Sequence, residues 1–64
     1  MLVQGINFEV DWRKFKKGTS IFIPCLNPRQ AIKDIHVTTK RLRVDVIHKI
    51  TIVDGIRGVR IWRM

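Results

Sequence analysis

The chain has 64 residues, a single cysteine, and thirteen Lys and Arg against five acids, for a formal net charge of +8. That length makes one domain, residues 1–64, near the lower limit at which an apolar core folds unaided, and dimerisation would be a natural supplement to it. The composition excludes an intramolecular disulfide and an apolar run long enough to cross a membrane; it points to a cytoplasmic protein with an anionic partner, nucleic acid before an acidic protein surface.

In chain order, Leu2, Ile6, Phe8, Val10 and Trp12 alternate with Asn7, Glu9 and Asp11, which is the period of a half-buried strand. Arg13 to Lys17 (RKFKK) follows as a basic loop with Phe15 as its anchor and Gly18 as its turn residue. It is either a solvated run or a phosphate clamp. Thr19 to Pro24 (TSIFIP), rich in β-branched and aromatic residues, predicts a short strand ended by the proline.

Asn27 can cap a helix, Pro28 suits its first position, and Gln30 stands at capping-box spacing, so a helix is predicted over Pro28 to Arg41. Helical spacing puts Ala31, Ile32, Ile35, Thr39 and Leu42 on the side that packs against a sheet. Val37, Thr38 and Thr39 weaken its interior. Arg29, Lys33, His36 and Lys40 form a solvated stripe that extends towards Arg41 and Arg43. Cations at a helix C-terminus are favoured by the dipole, whereas Arg29 and Lys33 near the N-terminus are not. Such a stripe suits contact with a phosphate backbone better than reading of bases, because no Asn or Gln lies at its centre.

From Val44 the pattern returns to a strand, with Val44, Val46, Ile50 and Ile52 alternating with Asp45, Lys49 and Thr51. Asp54-Gly55 supplies a hairpin turn and "GVRIWR" the returning strand. A two-residue turn sets Ile52 against Arg57, Ile50 against Val59, Lys49 against Arg60 and Ile47 against Trp62; a four-residue turn shifts the pairs and keeps the faces. Val46, Ile50, Ile52, Val59 and Ile61 are then expected in the core. The opposite face carries Lys49, Thr51, Arg60 and Trp62. Like charges facing across strands destabilise the free protein. Trp62 covers this second face with Ile47 and the N-terminal strand, forms a dimer contact, or offers a ring on which a base stacks. The expected class is α+β, a small antiparallel sheet in the order β-β-α-β-β with one helix on one face.

Chemistry beyond binding has little support in the sequence. Paired carboxylates, a Ser-His-Asp order and a Gly-rich phosphate loop are absent, and Cys25, His36, His48 and scattered acids do not make a metal motif. The expectation is a non-enzyme without cofactor or metal.

"GTSIFIP" (Gly18 to Pro24) and "VRIWR" (Val59 to Arg63) together resemble a group of small bacteriophage-encoded basic proteins, whose pattern is G-x-S-F-F-V-P, a basic helix and a closing V-R-V-W-R strand. Gly18, Ser20, Phe22 and Pro24 match, as do Val59, Arg60, Trp62 and Arg63, while Ile21, Ile23 and Ile61 are apolar replacements. The resemblance spans residues 12–64 in outline. The helix here has fewer alanines and more β-branched residues than the group's. The resemblance implies a phage accessory protein of the host-cell cytoplasm, with nucleic-acid binding as the usual expectation.

The combined expectation is a small basic protein that holds DNA or RNA mainly through phosphates, with weak sequence preference. Lys49, Arg60 and Trp62 would form a sheet platform, Arg29, Lys33, Lys40, Arg41 and Arg43 would hold the backbone, and Arg63 is a further nucleic-acid-binding candidate. The alternative is an inhibitor or host-takeover protein that docks its basic surface on an acidic groove of a host enzyme.

Overall fold

The structure, a computed structural model, describes residues 1–64. Its elements are β1 (Leu2–Val3), β2 (Ile6–Asn7), β3 (Ser20–Pro24), α1 (Pro28–Arg41), β4 (Val46–Val53) and β5 (Ile56–Arg63). The class is α+β, with the helix packed against strands. No helix is long and apolar enough to cross a membrane.

Of the first expected strand, residues 2–7 form a hairpin and Phe8 to Trp12 form no strand. Alternation is clean from Ile6 to Trp12 and interrupted by Gln4 and Gly5, which take φ values of 52° and 78°, and there the chain folds back so that Val3 pairs with Ile6. Gly5 adopts that left-handed conformation at little cost, which is what a two-residue hairpin turn requires. The fold-back serves the core: Val3 is buried, and the Gln4 backbone N–H donates to Asp34 Oδ2 at 3.0 Å. The Gln4 side chain grips the entry to α1, donating to the Asn27 carbonyl at 3.0 Å.

α1 begins at the expected cap. Asn27 Oδ1 accepts from Gln30 N at 3.3 Å, and Pro28 opens the helix without losing a needed donor. The reciprocal half of the capping box is not formed, because Gln30 turns forward to Asp34 Oδ1 at 3.2 Å. The helix ends through Arg43, which sits at φ 58° while Val44 N donates to the Thr39 carbonyl at 2.9 Å. That is the left-handed residue of a helix C-terminal cap, a place glycine usually fills.

The larger sheet is antiparallel in the order β3-β5-β4, so the closing strand is central. The two-residue turn is the one adopted: Val53 pairs with Ile56, and Asp54 and Gly55 both have positive φ. Ile21, Ile23, Val59 and Ile61 share the helix side of the sheet. With Val3, Phe15, Ala31 and Ile35, the last three of them make the core. Thr39 is buried beside it, its hydroxyl donating to the His36 carbonyl.

The helix lies over β5 and the N-terminal hairpin and only borders β4. Val46 is therefore half-buried, and Ile50 and Ile52, expected in the core, are 47% and 61% exposed. Leu42, on the predicted apolar helix face, is the C-cap just beyond α1 and is 46% exposed.

Candidate nucleic-acid interface

The sheet has one covered and one open face, and the open face is built in rows. Register places Ser20, Trp62 and Ile47 side by side, then Phe22, Arg60 and Lys49, then Pro24, Gly58 and Thr51. Each residue projects away from the helix because side chains alternate along a strand and the odd positions of β5 supply the core. Lys49, Arg60 and Trp62 thus share a surface.

Gly58 shapes that surface. A Cβ there would meet the Ile23 carbonyl oxygen and would stand 2.6 Å from Phe22 Cζ and 2.9 Å from Cε1. The missing side chain is what allows the Phe22 ring to lie down across β5. Over that ring sits the Arg60 guanidinium, 5.7 Å from its centroid, with Nη1 donating to Ser20 Oγ at 3.0 Å. A cation on an aromatic face is held by the ring quadrupole. Arg60 is drawn towards β3 in this way, and so away from Lys49, its direct cross-strand neighbour. The result is a half-buried, pre-positioned guanidinium whose side-chain hydrogen bond goes to a hydroxyl, beside an exposed ammonium.

Trp62 borders a shallow depression with Gly18, Ile47, Lys49 and Met64. Trp12, by contrast, packs edge-on against buried Phe15 at 5.9 Å between centroids, and it is part of the core's wall. The end of the sheet that holds Trp62 is also where other cations gather. Gly18 N donates to the Arg63 carbonyl, which brings the basic loop 13–17 to that end. Val46 pairs with Arg63, so the helix end with exposed Arg41 and Arg43 reaches it as well. Arg63 has a structural duty there: its Nη1 donates to the Phe15 carbonyl at 2.8 Å and latches the loop to β5.

Arg29, Lys33 and Lys40 are exposed on α1, on the other side of the sheet from Arg60 and Trp62. They do not join the platform. The stripe borders the uncovered flank of β4 instead: Arg29 shares a depression with Ile50 and Arg57, and Lys40 one with Asp45 and Val46. His36 and His48, 12 residues apart in sequence, meet here with Nε2 and Nδ1 3.0 Å apart and rings edge-to-face. No group of three or more His, Cys, Asp or Glu stands together as a metal site. Burial pushes the Cys25 thiol up from its ordinary value, which disfavours the thiolate a nucleophile needs.

Sequence reasoning did not place Phe22, Ser20 or Gly58 in the site. The signal was present in the alternation of "SIFIP", which puts Ser20, Phe22 and Pro24 on one face, but the strand's neighbour was needed to say which face. Arg57 was passed over as well.

No protein-family model matches the chain, and no curated protein or solved structure does.

Proposed function

We propose that this chain is a small, non-catalytic, phage-type protein that binds nucleic acid across the open face of its sheet, mainly through phosphates and with weak sequence preference. One observation carries the reading: an uncovered sheet face on which Phe22, Arg60 and Lys49 form one row and Trp62 begins the next. Alternating rings and cations suit a single strand, whose bases can turn to the rings while its phosphates meet the cations. A three-stranded face is wider than the helix or two-stranded ribbon that the major groove of a duplex takes.

The test compares single-site variants in titrations with labelled oligonucleotides. Lys49→Ala removes an exposed side chain, leaves the core untouched, and should weaken binding on every sequence while reducing the salt slope by about 0.7 for a single strand. Trp62→Ala should cost about 1–3 kcal/mol of affinity. Wild-type affinity in both variants would remove the platform. If the protein ignores oligonucleotides at low salt, the basic helix becomes the functional surface and an acidic groove on a host protein its partner.

A further inference from the structure

Strand β4 is an open edge. A two-residue hairpin turn closes on a hydrogen-bonded pair, so Val53, Thr51, Lys49 and Ile47 turn their backbone groups towards β5. Val46, His48, Ile50 and Ile52 then direct theirs outwards, and no backbone hydrogen bond outside the ladders involves residues 46–53. The strand is eight residues long and carries no proline, bulge or inward-pointing charge; of the usual protections of an edge it has one, the exposed Lys49. Isoleucine is exposed on both of its faces, Ile47 at 52% on one and Ile50 and Ile52 on the other.

We infer that β4 is a dimerisation edge that pairs antiparallel with β4 of a second copy, about a two-fold axis at Ile50. The register follows from parity and charge. Opposed residues must share a face, so the axis passes through a residue. An axis at Lys49 would set it against Lys49 of the second copy, a directly opposed like-charge pair that costs stability. An axis at Ile50 sets Ile50 against itself, His48 against Ile52, Lys49 against Thr51 and Ile47 against Val53. Every outward-pointing backbone group from His48 to Ile52 is then bonded, and the exposed isoleucines of both faces are covered. Pairing β4 with β3 of another copy is disfavoured, because β3 has five residues, ends in Pro24 without an N–H, and is flanked by the segment around Glu9 to Phe15.

The inference rests on the sheet alone and not on the nucleic-acid reading, which it extends: the joined sheet would present two platforms on one surface. The contact is one strand with its flanking side chains, less than the roughly 800 Å² per partner of a standard interface. The two helices fall on one side of the joined sheet with their basic stripes facing each other. Both features place the dissociation constant in the micromolar range or weaker.

Sedimentation equilibrium without nucleic acid is the test. The wild-type mass should rise from 7.6 kDa towards twice that value with concentration. Ile50→Lys places like charges on the axis and should leave only the monomer. Thr51→Glu creates two opposite-charge pairs with Lys49 across the axis and should tighten the dimer about three- to tenfold, while Thr51→Lys should weaken it by a similar factor. A mass of 7.6 kDa at every concentration up to about 1 mM would overturn the proposal. So would an Ile50→Lys variant that dimerises like wild type, or two Thr51 variants that shift in the same direction.

Discussion

Gly58 and Arg60 show how single positions set this surface. Gly58 gives up a side chain so that Phe22 can cross the strand, and Phe22 in turn seats the guanidinium of Arg60. Gly58→Ala must push the ring or the Ile23 carbonyl aside, and overpacking of that kind costs about 1–3 kcal/mol. Thermal denaturation should register the loss, and the Arg60-dependent part of oligonucleotide binding should fall with it. Arg43 offers the reverse case. At φ 58° it occupies a conformation that glycine adopts without strain. Arg43→Gly should raise the melting temperature by a few degrees, corresponding to about 0.5–1 kcal/mol, and weaken nucleic-acid binding if its side chain holds a phosphate. A melting temperature that falls instead would show that the arginine side chain contributes more than its backbone costs.

At the scale of elements, the helix is held from its N-terminal end. Asn27 caps it, Gln4 holds Asn27, and Asp34 holds both Gln4 and Gln30, so cap and hairpin are one hydrogen-bonded unit. Asn27→Ala should cost about 1 kcal/mol and lower the melting temperature by about 4–8 °C, with the amides of β1 and β2 losing hydrogen-exchange protection together with those of the first helical turn. This capped helix was legible in the sequence, because Asn-Pro followed by Gln at the right spacing is a local signal. The β4–β5 register was legible too, since Asp-Gly and strict alternation leave few pairings. The N-terminal hairpin was not. Gln4 and Gly5 interrupt the alternation there, but an interruption fits a weak strand as well as a turn, and what decides between them is the burial of Val3 against a helix some thirty residues away.

For the whole molecule, the lateral position of the helix was the unreadable quantity. Periodicity says which side of α1 is apolar, not which strands it covers. Placed over β5, it buries Val59 and Ile61 and leaves Ile50 and Ile52 in the open, and it brings His36 against His48. The candidate site was half legible for a related reason. Lys49, Arg60 and Trp62 fall together by local hairpin register, whereas Phe22 and Ser20 join them through a pairing of β3 with β5 that spans about forty residues. That same topology divides the positive charge. Arg29 and Lys33 on the helix and the cations on the platform occupy opposite sides of one small sheet, so a short strand laid on the platform does not meet them, whereas Arg41 and Arg43 at the helix end lie by the Trp62 end.

Fluorescence anisotropy of labelled single-stranded and duplex oligonucleotides, titrated with wild type, Lys49→Ala and Lys33→Ala across salt, tests that claim most directly. The account predicts tighter binding of single strands with a negative log–log salt slope, a clear loss in the Lys49→Ala variant, and little change in Lys33→Ala. Preference for duplex, with Lys33→Ala the damaging variant, would contradict it and move the function to the helix.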